Sequence, residues 1–412
     1  MARPSKGSIG SQTGQPAAVR TRSNYSQEPG RKGLTVAYLP NFPPIHFDFG
    51  AIQELGPELE NRGITKPLFL TDQGLVEHGV FQQVTHVLPA DQSWAVFDDI
   101  PENPTIDGVE RALAVYKSEA CDGIVALGGG SVLDSGKALR VVATQGGEVI
   151  DYLKHPEKIG ANVSPYITIP STAGTGAEIT FGGGIHPEKN GPAMGIRSPL
   201  VKPDMAICDP ALTFTLPPRL TAATGMDAVT HCVEGYLSIN ENAPTEAIAL
   251  DGIYRAVSYI DRAVANGSDK EARYNMAMAA LEGGMAIYMG LGPIHSLSMA
   301  FGDSPLHHGT LVTVSMPAIM RFYDGKVNGK LDNIAHAMGL NGGDGVGERI
   351  AKRTEEINDR LGLPSGVREM GYEKNDLDAM IDEAFNSHFN LASPVRPTRD
   401  EYRQIVIDVL GN

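Results

Sequence analysis

Cysteine is scarce in this chain of 412 residues: Cys121, Cys208 and Cys232 are the whole complement, and no two form a C-x-x-C pair. An odd, widely spaced set argues against a disulfide framework and fits a reducing, cytoplasmic setting. Positive charge is in deficit as well. The formal net charge of −15 argues against nucleic acid or an anionic membrane surface as the main partner. Long apolar runs are also missing. The most apolar segment, 276–301, is interrupted by Glu282, Pro293, His295 and several glycines, so it reads as buried helix and loop rather than a membrane span. Residues 1–33 contain almost no large apolar side chains and no hydrophobic stretch of the kind a secretory signal needs. Basic within an acidic protein, they read as a disordered tail or as an arm that packs on a partner subunit. What remains, 42% hydrophobic and 20% charged, is ordinary for a soluble globular chain with cores for two or three domains.

Two halves are legible in the pattern. From 34 to about 180, short apolar runs (LTVAYL, PLFLTD, SWAVFDDI, DGIVALGGG, PYITIP) alternate with helical segments such as AIQELGPELENRG and IDGVERALAVYKSEA. Strands alternating with helices predict βαβ units and a mostly parallel sheet. Residues 181–208, dense in Gly and Pro, read as an irregular β-hairpin region. Beyond 209-DPALTFTLPP-218 the pattern is helical, with helices predicted over 219–238, 243–265, 271–290, 309–323, 345–361 and 398–410. The fold class is therefore an α/β N-terminal domain of nucleotide-binding type with a mostly parallel sheet, 34–212, followed by an all-α helical bundle, 213–412. Ligand sites favour the boundary between such parts and the carboxyl ends of parallel strands.

The stretch 126-ALGGGSVLDSGK-137 looks like a phosphate cradle, yet it fits neither common template. A Walker A loop would need glycine where Ser131 stands and a hydroxyl where Ala138 stands. The G-x-G-x-x-G fingerprint fits Gly128 and Gly130, then meets Leu133. A buried strand, DGIVAL, followed by glycines and a Ser131/Asp134 capping-box signature predicts a helix starting at Ser131. Its free N–H groups and positive dipole end would make an anion site.

The chemistry-bearing residues lie in the second half. In 224-TGMDAVTHCVEGY-236, Asp227 and His231 are four apart and share one helix face. In 290-GLGPIHSLSMAFGDSPLHHGTLVTVSMP-316, His295, His307 and His308 occur within otherwise apolar, Gly-rich sequence. Buried histidines need polar partners. One aspartate with three imidazoles would suit a divalent first-row metal, Fe²⁺ or Zn²⁺.

Over roughly 40–410 these motifs, in this order, resemble the iron-containing, or group III, alcohol dehydrogenases. ALGGGSVLDSGKA is similar to that family's pyrophosphate loop, IPSTAGTGAEIT to its threonine-rich cofactor loop, and DPALTFTLPPRLTAATGMDAVTHCVEGYLS to the start of its helical domain. The resemblance implies NAD held by Gly129, Gly130 and Ser131, with Asp134, Lys137, Asn103, Ser171, Thr172 and Thr175 at further cofactor positions. Asp72 matches the acidic residue at the adenosine ribose, which favours NAD over NADP because a carboxylate repels a 2′-phosphate. The implied metal ligands are Asp227, His231, His295 and His308, the last chosen over His307 because the family motif is His-Gly. Fe²⁺ is favoured and Zn²⁺ is the alternative. A small alcohol or aldehyde is the implied substrate, hydroxy acids and sugar-derived aldehydes included, with the metal acting as Lewis acid. A homodimer or larger homo-oligomer is also implied.

The chain departs from the family pattern at two places. Met299 stands where many members carry a second histidine near substrate, which leaves His307 as a candidate for the proton relay. Ala193 stands where a basic residue is common, with Lys189 earlier. Two other readings of the scaffold are a dehydroquinate-synthase-like cyclase and a degenerate, non-enzymatic member. The first would need basic residues gathered for a phosphorylated substrate; the intact Asp/His set argues against the second.

Overall fold

The computed structural model describes residues 39–411 apart from 190, 303, 305 and 328. The expected tail, 1–33, and nearly all of the run at 34–39 lie outside the described residues.

Six strands form one parallel sheet. In chain order they are β1 (Ile45–Phe47), β2 (Pro67–Leu70), β3 (Ala95–Phe97), β4 (Gly123–Gly128), β5 (Tyr166–Pro170) and, after an antiparallel pair β6 (Gly182–Ile185) and β7 (Met194–Arg197), β8 (Met205–Cys208). Their spatial order is β1-β8-β5-β4-β2-β3. The inner strands β2, β4, β5 and β8 are buried at every residue. That explains why they read as continuous apolar runs rather than as alternation: helices cover both faces of a parallel sheet. Register is close, with Leu68 opposite Ile124 and Ile124 opposite Tyr166.

The topology positions a ligand site. From β2 the chain moves outward to β3, whereas from β4 it moves the other way to β5, although β2 and β4 are neighbours. Their carboxyl ends therefore diverge, and such a switch point leaves a crevice for a ligand. Asp72 follows β2 there, and Gly129 and Gly130 follow β4. The helix Gly130–Gln145 lies directly on β5. A Cβ at Gly136 would fall 2.5 Å from the Tyr166 hydroxyl, which donates to the Leu133 carbonyl at 2.6 Å.

The second half is helical. Its long members are Pro218–Leu237, Ala243–Ala265, Lys270–Ile287, His308–Tyr323 and Val346–Arg360. Pro218–Leu237 is buried at every residue from Thr221 to Leu237, as expected for a bundle's central helix. It carries the principal hydrophobic cluster together with the helices around it.

Three expectations need correction. Residues 205–208 are not part of the hairpin region: MAIC leaves the β6–β7 pair and inserts between β5 and β1 as an inner parallel strand. The edge strand Ile45–Phe47 and the helices Pro293–Ala300, Lys330–Ala337 and Leu377–Asn386 escaped the pattern reading because each is short. The glycine-loop helix starts one residue early, at Gly130, with Gly129 as a cap that contributes no side-chain bond. Ser131 instead donates to the Glu102 carbonyl. Asp134 accepts from the Gly184 amide at 3.0 Å, so its carboxylate ties the helix to β6 rather than closing a capping box.

Candidate metal centre and cofactor crevice

Helical spacing makes the centre. On Pro218–Leu237, Asp227, His231 and Glu234 fall at i, i+4 and i+7, one stripe of a single helix. His231 Nε2 lies 3.6 Å from Asp227 Oδ1. His295 comes from Pro293–Ala300 and His308 opens His308–Tyr323. Ligand atoms of Asp227, His295 and His308 all lie within 4.8 Å of one another. The His231 and His295 rings stack at 4.8 Å, and the His295 and His308 rings meet at 5.5 Å. Backbone approach is close enough to need glycine at the start of the His308 helix: a Cβ at Gly309 would come within 2.8 Å of the Ala223 carbonyl.

Hydrogen bonds orient the rings. His295 Nδ1 contacts Glu234 Oε2 at 2.6 Å, and the same carboxylate accepts the amides of Ile294 (2.6 Å) and His295 (3.3 Å). A carboxylate can only accept, so Nδ1 carries the hydrogen and Nε2 keeps its lone pair. His231 Nδ1 faces the Gly174 carbonyl at 3.4 Å, with the same consequence. Two buried atoms then have no hydrogen-bond partner: Asp227 Oδ1 and His295 Nε2. A buried acceptor left unpartnered is costly, and two beside each other, with two further imidazoles, fit a cation between them. Mixed carboxylate and imidazole donors suit iron or zinc.

The electrostatics agree. Burial works to raise the Asp227 pKa, but the imidazoles of His231, His308, His295 and His307 more than offset it and hold the carboxyl below its usual value. Burial lowers His231, against the pull of Asp227. His308 keeps an open edge to solvent, yet protein atoms crowd its ring. That crowding presses its pKa down, Asp227 pulls it up, and His295, His231 and His307 lower it further, to about 4. Neutral imidazoles and an ionised carboxylate are the forms a metal requires. His307 adjoins the group as the cap of the His308 helix, with Nδ1 3.4 Å from Thr310 Oγ1. Met299 is partly buried in the neighbouring helix.

At the crevice, two loops meet. A Cβ at Gly129 would lie 3.2 Å from Thr172, and one at Gly130 would lie 2.8 Å from Thr175. The Ser171 amide donates to the Gly128 carbonyl at 3.0 Å. This loop also reaches the metal centre, since Gly174 supplies the carbonyl facing His231 and is pressed against Thr224. Asp72 caps the short helix after β2 through the Leu75 amide at 3.0 Å, and burial raises its pKa against these backbone bonds. Asn103 lies partly buried between β3 and the helix Ile106–Ser118. Lys137 is fully buried, and its ammonium donates to Asp134 (2.9 Å), Thr180 (2.9 Å) and the Gly182 carbonyl (2.7 Å). Those three contacts use all its donors. Glu234 and Gly174 were missed by sequence reasoning. The i+7 spacing from Asp227 could have found Glu234; nothing local marks Gly174.

A parallel-sheet half with a switch-point crevice, joined to a helical half that bears this donor set, is the architecture of a metal-assisted, nucleotide-dependent oxidoreductase. The chain belongs to the iron-containing alcohol dehydrogenase family. The family's model matches residues 43–210, and the model of the Fe-containing alcohol dehydrogenase C-terminal part matches 221–410. A 4-hydroxybutyrate dehydrogenase from Cupriavidus necator is 40% identical over 385 residues, covering 90% of this chain and 99% of the relative. An NAD-dependent methanol dehydrogenase from Bacillus methanolicus is 33% identical, covering 88% and 96%. The crystal structure of a 1,3-propanediol oxidoreductase superposes with a TM-score of 0.84 at 31% identity, over 89% of this chain and 98% of that one. The chain is accordingly an NAD-dependent, metal-dependent dehydrogenase acting on CH–OH groups, and the cyclase and non-enzymatic readings are not favoured. No described helix is long and apolar enough to cross a membrane.

Proposed function

We propose that Asp227, His231, His295 and His308 together hold one divalent iron, and that the chain interconverts a short primary alcohol with its aldehyde at that centre. The observation that carries this is the adjacent pair of buried, unpartnered atoms, Asp227 Oδ1 and His295 Nε2. When bound, the metal polarises the substrate oxygen and the nicotinamide exchanges hydride with the carbon that bears it.

The residues do the rest. Glu234 fixes the His295 ring and its tautomer. Asp227 stays ionised because imidazoles surround it. Gly129, Gly130 and Ser131 leave room and amide donors for a pyrophosphate, with Thr172 and Thr175 as the facing wall and Ser171 and Asn103 beside them. Asp72 meets the adenosine ribose, and Asp134 and Lys137 stiffen the floor by locking the loop's helix to the β6–β7 pair. His307 is assigned the proton exchange, since it borders the ligand set while Met299 cannot carry a proton. In this reading 34–212 is the nucleotide unit and 213–412 the metal unit. The relative named as a 4-hydroxybutyrate dehydrogenase supports a hydroxy acid among the substrates. Three cysteines and a negative charge support a cytoplasmic enzyme, and the family resemblance supports a homodimer or larger homo-oligomer.

The test is elemental analysis with NADH absorbance on a panel of alcohols and aldehydes, for the unaltered protein and for Asp227→Ala and His231→Ala. Both variants are expected to lose the metal and turnover. Full occupancy in either would remove that residue from the ligand set. An unaltered protein that binds metal and turns over none of the panel would sink the reading.

A further inference from the structure

The loop 171–180 leaves the end of β5 and is fastened along its length. The Ser171 amide donates to the Gly128 carbonyl at 3.0 Å. The Gly174 carbonyl faces His231 at 3.4 Å, and Gly174 is pressed on Thr224. Gly176, at φ +63°, lies against the helix Lys270–Ile287, where a Cβ would come 2.4 Å from Gly284 Cα. The Glu178 carbonyl accepts from Thr168 Oγ1 at 2.8 Å, and the Ile179 carbonyl accepts from the Tyr288 hydroxyl at 2.6 Å. Between these anchors the Glu178 side chain lines a small pocket. Thr172 of the same loop, Cys208 and Asp209 at the end of β8, Thr213, Ala277 and Ala280 form the rest of its wall. Glu178 is 4% exposed. Among the described residues, no donor from another residue bonds its carboxyl. Nor does any neighbouring element offer a charge to match it. β8 and its exit bring Cys208 and Asp209, both of like sign when ionised, and Asp209 accepts the amides of Gly50, Ile52 and Ala211. The helix Gly130–Gln145 brings Lys137, which bonds Thr180 two residues on, but its three donors go to Asp134, Thr180 and the Gly182 carbonyl. The helix Lys270–Ile287 brings Ala277 and Ala280 to the wall.

A buried carboxyl with neither a counter-ion nor donors keeps its proton. Once charged it has to be hydrated, and the close glycine contacts on either side leave no slack for water beneath Thr172. We infer that Glu178 is a positioning residue for the cofactor: while neutral it lets the pocket stay shut, seating Thr172 against the turn at Gly129 and the Gly174 carbonyl against His231, and its ionisation lifts the loop. Seated, the loop keeps the Glu178 pKa raised by burial to about 7; lifted into water, the carboxyl returns toward 4.5. The seated form therefore holds a proton that the lifted form has lost, and rising pH between those two values favours lifting. This assignment rests on the reading of 171–180 as a cofactor loop for its link to NAD, but not for the response of the loop to charge.

Two measurements test it. The first needs no cofactor: hydrogen exchange of the metal-loaded protein, read by mass spectrometry with times scaled to the intrinsic exchange rate. From about pH 5.5 to about pH 7.5 the lifted fraction of 171–180 is expected to rise about twentyfold in the unaltered protein, while the buried strand Gly123–Gly128 stays constant. Glu178→Gln is expected to show no such rise. A flat profile in the unaltered protein overturns the proposal without any variant. An equal rise in Glu178→Gln overturns it as well, and so does an equal rise in Gly123–Gly128, which would mean loss of stability at large. The second measurement is NAD binding by calorimetry over the same range. Affinity is expected to weaken with rising pH in the unaltered protein, by up to the same factor, and by less in Glu178→Gln. Asp72 titrates in both proteins, so the difference between them isolates Glu178. Equal pH dependence of NAD affinity in the two would overturn the positioning role. A loop that responds to pH through Glu178, in a protein that binds NAD at no pH, would instead sink the dehydrogenase reading and leave the response of the loop standing.

Discussion

Glu234→Gln isolates what a single carboxylate does for the metal centre. Glu234 is buried and accepts three N–H groups: the amides of Ile294 and His295 and the His295 ring at 2.6 Å. Glutamine has the same shape but one acceptor oxygen, and its NH₂ would face a donor. At least one of the three contacts is lost, and the ring is the member free to rotate, so Nε2 is no longer aimed. Carboxylates that orient metal-ligating histidines are worth about 10- to 100-fold in metal affinity, about 1.4–2.7 kcal/mol. The assay is competition for Fe²⁺ or Zn²⁺ against a chromophoric chelator, with circular dichroism of the metal-free protein as the folding control. Gly292→Ala gives an independent perturbation, because its Cβ would sit 3.0 Å from Glu234 Oε1; a smaller loss in the same direction is expected. A well-folded Glu234→Gln protein with unchanged metal affinity would refute the reasoning.

Asp72→Gly removes the carboxylate after β2 and is expected to relax the preference for NAD; an unchanged NAD/NADP ratio of kcat/KM would show that another group sets it. Lys137→Met leaves Asp134 without its buried cation and should lower stability by about 3 kcal/mol, read as a fall in the thermal midpoint. A normal midpoint with a raised KM for NAD would move Lys137 from support of the floor to direct contact with the cofactor. Glu178, fully enclosed, has its pKa raised by burial to about 7. Its folded form therefore holds a proton that the unfolded chain has released between about pH 4.5 and 7, and stability falls as pH rises through that window. Glu178→Gln should be nearly neutral at pH 4.5 and stabilising by about 2–3 kcal/mol at pH 8.5; equal effects at both pH values would show that the carboxyl does not titrate there.

The sheet was legible because burial on both faces leaves a simple trace: PLFL, GIVAL and YITI are buried at every position and, Thr168 apart, apolar, and the helices between them carry a 3.6-residue period. The long helices were legible for the same reason. What escaped was short or depended on partners far along the chain. MAIC has the apolar run of a buried strand, but the Gly- and Pro-rich sequence before it reads as a hairpin, and only pairing with β5 and β1 tells which sheet it joins. Ser131 has the right residue three positions later for a capping box, yet the Glu102 carbonyl and the Gly184 amide offered those side chains better partners. Local capping is worth about 1 kcal/mol, so a few tertiary hydrogen bonds override it.

The centre follows the same logic in sharper form. Asp227 and His231 declare themselves because one helix supplies both, and the histidines near 295–308 do so because imidazoles are out of place in an apolar segment. Glu234 shares the stripe but reads as an ordinary helix carboxylate until the turn at Gly292 brings His295 over it. Residue type and spacing thus marked the candidate donors, while the choice of Asp227, His231, His295 and His308 as one set came from the family resemblance. The parts that aim them are fixed by contacts between segments far apart in the chain: the Gly174 carbonyl faces His231 from the loop after β5, and Glu234 holds the His295 ring from a different helix.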